Sequence, residues 1–187
     1  MTTTTPKRPL TVARPELLRK GTDDQFRTMC HNLLTVAQVF QETRASHAAM
    51  LGLSGVQYTI LTAIAYLQGE EGTPVNVVAR HLHVSASFVT MEIVKMVKLG
   101  VVAKLPHPTD KRRVQLKVSK TGWKLLNSIV PIQQPVNDAL FGNLSAADID
   151  SFARIIDVLA ENGEHAKALL ELLKHSDAAK KIVKGQA

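Results

Sequence analysis

Lys111, Arg112 and Arg113 stand side by side after Asp110, inside the loop Pro106-His107-Pro108-Thr109-Asp110-Lys111-Arg112-Arg113. Guanidinium groups crowded at a loop tip suit the narrow, electronegative minor groove of duplex DNA. Asp110 would repel phosphate, so its place beside these cations fits a structural task, orienting Arg112 or capping the turn. Earlier in the chain, Ser85, Ser87 and Thr90 put hydroxyls on the opening turns of a helix. There, side-chain oxygens and free backbone N–H groups can meet phosphate or base edges. Ser85 is also placed to N-cap that helix. Lys95 and Lys98 follow on the same helix as candidate phosphate contacts.

Other chemistries find less support. The seven histidines lack a thiol or carboxylate at convincing ligand spacing, and His81 and His83 would point in different directions, so no metal site is expected. The chain shows no nucleophile elbow, phosphate-binding glycine loop or paired-carboxylate signature, so neither an enzyme nor a cofactor is expected. Cys30 is the single cysteine, which leaves no intrachain disulfide framework. No stretch approaches the roughly 18 apolar residues of a membrane span, and the N-terminus lacks the apolar core of a secretory signal. A cytoplasmic protein is expected.

Charge sharpens the nucleic-acid reading. Lys and Arg outnumber Asp and Glu by 23 to 16 over 187 residues. Residues 75–120 hold nine basic and two acidic residues, and residues 1–20 hold five and one. The remainder is net acidic. A basic middle between acidic flanks is the footprint of a nucleic-acid reader.

These candidates need elements to position them. Residues 1–21 carry a threonine run, prolines and Gly21 without helical period, and read as a flexible basic arm. Thr22 to Gln25 has capping-box spacing, and Phe26, Met29, Leu33, Ala37 and Phe40 recur at three and four residues behind it. A long helix to about Met50 follows, within a segment spanning 22–53. Ser54 to Gln57 repeats the capping-box spacing and opens a second helix to about Leu67. Thr73-Pro74 is expected to start a short third helix with Pro74 at its first position. His83-Val84 makes a tight turn, and Ser85 opens a fourth helix that stops at Gly100. The period then changes to two, giving strands at 101–105 and 114–118 around the basic loop. From Lys120 the chain is helical again, interrupted or kinked at Pro131 and Pro135. Ser145 caps a further helix bearing Ile149, Phe152, Ile156 and Leu159, and a last helical stretch carries Leu169, Leu170 and Leu173. The lobe at 54–122 is thus a winged helix-turn-helix, followed by C-terminal helices at 123–178 and a tail at 179–187.

The runs Val84-Ser85-Ala86-Ser87-Phe88-Val89-Thr90, Leu99-Gly100-Val101-Val102, Pro108-Thr109-Asp110-Lys111-Arg112-Arg113 and Ser119-Lys120-Thr121-Gly122 resemble the multiple-antibiotic-resistance regulator (MarR) family. Asp110 and Arg112 match that family's Asp-x-Arg wing signature. The resemblance covers about residues 22–175 and is sharpest from 84 to 122. It implies a mainly α winged helix-turn-helix whose flanking N- and C-terminal helices form a dimerisation region. It further implies a homodimer on an inverted-repeat operator in double-stranded DNA, a repressor relieved by a small aromatic or organic-acid effector. Met91, Glu92 and Phe88 depart from the family pattern, which leaves the operator sequence open; Phe88 reads as core.

The apolar stripes at 26–40, 149–159 and 166–173 exceed what a small winged lobe can cover, which points independently to pairing across a two-fold axis. Arg44, His47 and Tyr58 could supply a cation and hydrogen bonds to an effector carboxylate. Peroxide-sensing relatives in the family carry an early cysteine paired with tyrosines. Here Leu34 lies one turn from Cys30 and Tyr58 is the one plausible partner, so Cys30 reads as a buried structural cysteine. A redox-sensing regulator through Cys30 and a non-specific architectural nucleic-acid binder are the alternatives.

Overall fold

The computed structural model describes residues 8–106 and 114–183. The elements in chain order are α1 (Asp24–Met50), α2 (Gly55–Leu67), β1 (Thr73–Pro74), α3 (Val75–His81), α4 (Ala86–Lys98), β2 (Val102–Pro106), β3 (Val114–Val118), α5 (Lys120–Phe141), α6 (Ala146–Lys174) and α7 (Asp177–Val183). The strands form an antiparallel sheet in the order β1-β3-β2, with Val102 opposite Val118 and Thr73 opposite Leu116. The architecture is mainly α with a winged helix-turn-helix. The chain divides into two compact units, with the boundary at Gln134 and Pro135 inside α5.

The first unit has a dense core. Tyr58, Ile60, Leu61 and Ile64 of α2 meet Val78 of α3, Val89, Ile93 and Met96 of α4, and Val101, Leu116 and Val118 around the sheet. Leu61, Ile64, Val78, Val89, Ile93, Met96 and Leu116 are all fully buried. Gln68, itself buried, closes α2 onto the sheet by accepting the Val118 N–H at 2.8 Å. Gly122, at the start of α5, permits the closest approach in this lobe. A Cβ there would overlap the Val101 carbonyl oxygen and lie 2.7 Å from Val118 Cγ1. Ser119 caps the same helix start, its Oγ accepting from Gly122 N and donating to the Gly100 carbonyl.

Most of the local expectations hold. Ser54 and Ser145 form full capping boxes with Gln57 and Asp148. Gly100, at φ 71°, occupies the left-handed position that ends α4. Four expectations need correction. Thr73-Pro74 is not the start of a helix but a short third strand on β3, and Pro74 becomes the N-cap of α3; proline has no N–H to give, which suits an edge position equally well. Thr22 does not cap α1, because it is engaged in a bridge with Arg19 and Asp23 takes the N-cap place. Of the two outcomes expected at Pro131 and Pro135, interruption does not occur, since α5 is helical from Lys120 to Phe141. Four residues apart, both fall on one exposed side, where water can serve the carbonyls that lose their donors. The two C-terminal helical stretches are one helix, α6, running through Gly163.

Residues 8–22 are tied down instead of hanging free. The Asp23 carboxylate, 2% exposed, accepts from Thr11 N at 2.8 Å, Thr11 Oγ1 at 2.7 Å and Arg27 Nε at 3.0 Å. Arg27 also donates to the Pro9 carbonyl, and Arg8 pairs with Asp24. The hydrogen bonds from Arg27 and Thr11 hold the Asp23 carboxyl well below the usual carboxylate range.

The second unit differs in kind. No residue of α6 is buried, although Ile149, Phe152, Ile155, Val158 and Leu159 are all large and apolar. Among the described residues no single helix is long and apolar enough to cross a membrane.

Candidate nucleic-acid interface

The turn from α3 to α4 is set by backbone geometry. His83 adopts φ 52°, and the N–H groups of His83 and Val84 donate to the carbonyls of Arg80 and Ala79. Ser85 then N-caps α4, its Oγ accepting the Phe88 N–H at 3.2 Å. The helix buries Val89, Ile93 and Met96, spaced four and three residues apart. At about 100° per residue, the opposite side of the cylinder carries Ser87, Met91, Val94 and Lys98. All four are exposed, Met91 at 59% and Val94 at 44%. This outward stripe is what the helix can offer to a groove.

The predicted contacts distribute around that stripe. Ser85 and Ser87 are exposed, with their hydroxyl oxygens 3.1 Å apart. Thr90 lies on one flank and donates its hydroxyl back to the Ala86 carbonyl at 2.8 Å, which leaves its oxygen able to accept. Lys95 lies on the other flank, its Nζ 2.7 Å from the Glu92 carboxylate. Glu92 is largely covered and also accepts weakly from Gln57 Nε2 at 3.4 Å. Lys95 is therefore a locally balanced charge. Asp110, Lys111, Arg112 and Arg113 lie outside the described residues, as does the hairpin tip they belong to. The strands that lead into and out of it, β2 and β3, pair in register from Val102–Val118 to Pro106–Val114.

The three candidate effector contacts are neighbours, though not equals. The Arg44 guanidinium lies 5.2 Å from the centre of the Tyr58 ring, and the His47 ring meets Tyr58 edge-on at 6.2 Å. His47 and Tyr58 are buried at 4% and 1% exposure, and the Tyr58 hydroxyl has no hydrogen-bond partner among the described residues. Burial pushes the Tyr58 phenol up, with Arg44 opposing. Arg44 alone of the three reaches open space. Its Nη2 donates to Thr62 Oγ1 at 3.0 Å, and it lines a cavity of about 440 Å³ between α1, α2 and the start of α4. Gln41, Val56, Thr59 and Ile60 form other parts of that wall, together with Leu82, Val84 and Phe88. Phe88 is thus half-buried on a cavity wall and not a core residue. Sequence reading missed it because a helical period places a side chain on a side of the helix without saying whether that side is filled.

Cys30 is half-buried on α1, not enclosed. It lies 14 residues before Arg44, roughly 21 Å along the helix at 1.5 Å per residue, so the Arg44–Tyr58 pair is not its neighbour. His81 is exposed and stacks on Tyr66 with ring centres 5.6 Å apart.

Comparison with known proteins agrees with this geometry. Residues 51–113 match the model of the MarR family. The chain is 28% identical over 120 residues to the transcriptional regulator HosA of Escherichia coli O111:H-, covering 64% of this chain and 87% of that one. Its fold is similar to that of a mutant MarR from Escherichia coli complexed with operator DNA, with TM-score 0.59 at 19% identity, covering 73% of this chain and 96% of that one. It is similar too to CouR from Rhodococcus jostii bound to p-coumaroyl-CoA, with TM-score 0.64 at 15% identity over 71% and 91% of the two chains. Residues 51–113, which hold the helix-turn-helix and the first strand of the hairpin, are thus similar to the MarR family.

Proposed function

We propose that the chain is a homodimeric, sequence-specific DNA-binding transcription regulator, a repressor released by a small organic-acid effector and acting in the cytoplasm. The observation that carries this reading is that one helix serves two surfaces. On its outer side α4 offers Ser87, Met91, Val94 and Lys98 to a groove. At its start, Val84 and Phe88 wall the cavity that Arg44 enters. A ligand filling that cavity touches the recognition helix directly, and it favours one placement of the helix by its differential affinity for the two placements. An apolar body with a carboxylate for Arg44 matches the lining, and CouR, of like fold, is bound to an acyl-CoA.

In this reading Ser85, Ser87 and Thr90 meet phosphate and base edges, Lys95 and Lys111 meet phosphate, and Arg112 and Arg113 enter the minor groove while Asp110 orders the wing. The exposed apolar side chains of α6 supply the dimer contact, and two recognition helices then fall about one DNA turn, roughly 34 Å, apart. The mutant MarR of like fold, complexed with operator DNA, supports the docking mode.

Selection of binding sites from a random duplex pool, followed by affinity measurements against scrambled duplex across a salt series, tests the reading. An inverted repeat with a specificity ratio of roughly 10³ or more supports it. No enriched sequence, with steep salt dependence alone, means a general nucleic-acid clamp. If peroxide abolishes binding in the native chain but not in Cys30→Ser, the switch is redox and not ligand.

A further inference from the structure

The outward stripe of α4 has a chemical character that the regulator reading does not explain. A recognition helix that specifies bases by hydrogen bonds places Arg, Lys, Asn or Gln at the centre of its exposed face. Here the centre is Met91 and Val94, with Ser87 before them and Lys98 after them. Neither central side chain can donate a hydrogen bond, and the methionine sulfur accepts only weakly. Both are nevertheless solvent-exposed, at 59% and 44%, on a helix whose inner side is already filled by Val89, Ile93 and Met96. They therefore have no task in the core. On the flank, Lys95 is held by Glu92.

We propose that Met91 and Val94 read pyrimidine 5-methyl groups in the major groove, so that thymine methyls at the centre of each half-site carry specificity. This rests on the DNA-binding reading above. The thymine methyl is the apolar feature that the four common base pairs present in the major groove. Amine and carbonyl edges facing Met91 or Val94 would lose water and gain no partner, so those bases are disfavoured. Three residues of helix advance about 4.5 Å along the axis, close to the ~3.4 Å rise of one base pair. Met91 and Val94 thus address neighbouring base pairs. The Met91 side chain, unbranched and flexible, adapts to either strand's methyl, whereas β-branched Val94 fixes a narrower position. Ser87 and Lys98, at the two ends of the stripe, tie the helix to phosphate.

The test uses the full chain and the duplex selected in the experiment above. Each thymine in a half-site is replaced in turn by deoxyuridine, which removes the methyl and keeps base pairing. Two adjacent replacements should each weaken binding by about fourfold, the value of one buried methyl. In Met91→Ala and Val94→Ala one of those two sensitivities should vanish, each at its own base pair. Both residues are exposed in the free chain, so circular dichroism and the thermal midpoint should be unchanged. Cytosine and 5-methylcytosine, paired with guanine at the same positions, separate the methyl's two sources. Recovery by 5-methylcytosine shows that the methyl on either base is read, and no recovery shows that thymine is read as a whole. Specific binding that no deoxyuridine replacement weakens overturns this inference and leaves the regulator standing. Failure to enrich any duplex overturns both.

Discussion

Two helices of this chain both carry large apolar side chains and end in opposite states. In α2, 13 residues long, Tyr58, Ile60, Leu61, Ala63 and Ile64 are buried within the lobe. In α6, 29 residues long, none is. Both begin with a serine capping box, so both are set to form as helices by local bonds. The difference lies in what their apolar faces meet. The α2 face meets α3, α4 and the sheet at every turn. The α6 face keeps Ile149, Phe152, Ile155, Val158 and Leu159 at 38–49% exposure and Leu172 at 71%. One helix is finished inside its own lobe, and the other keeps an exposed apolar face of the kind the proposed dimer would cover.

The sharpest way to break this contrast is to place charge on α6. Phe152→Asp combined with Leu159→Asp should halve the mass in sedimentation and lower operator affinity by about two orders of magnitude, through loss of two-site binding. A mass unchanged from the native chain would show that α6 is not the dimer surface. Next in size is the reciprocal change in the lobe. Ile93→Ala empties a fully buried site and should cost about 2–5 kcal/mol in urea unfolding, with the loss independent of protein concentration. The α6 variant should instead lose the concentration dependence of its midpoint.

The wing comes third. Arg112→Ala should weaken operator binding by about 1–3 kcal/mol without moving the thermal midpoint. An unchanged affinity would remove Arg112 from the groove. The smallest effect concerns the strap at residues 8–22. Asp23 has its folded pKa depressed by Arg27 and Thr11, so its contribution is present above the unfolded value and fades as pH falls below about 4. Limited proteolysis should cut the N-terminal segment faster as pH drops through that range, and Asp23→Asn should show the fast rate at neutral pH already. Equal rates for both chains at pH 7 would mean that Asp23 does not hold the strap.

Features governed by a few neighbouring residues could be read before any fold was known. The capping boxes at Ser54 and Ser145, the stop at Gly100 and the shift from a period of 3.6 to a period of two after it are local physics, and they define the winged helix-turn-helix. The basic run from Asp110 to Arg113 is equally visible as charge and spacing, and it lies outside the described residues. What could not be read depended on partners far along the chain. Thr73-Pro74 became a strand because β3, more than forty residues later, offered it an edge. Asp23 displaced Thr22 as the N-cap because Thr11 and Arg27 converge on its carboxylate.

The same limit explains Phe88, Met91 and Val94. A helical period divides α4 into sides, yet whether a side meets core, cavity or water depends on how α1, α2 and α3 are arranged around it. Burying Val89, Ile93 and Met96 left Phe88 on a cavity wall and turned Met91 and Val94 outward. Local hydrogen bonding and hydrophobic period determine that a helix forms and which residues share a side. Only long-range packing decides which side is spent on stability and which remains for recognition.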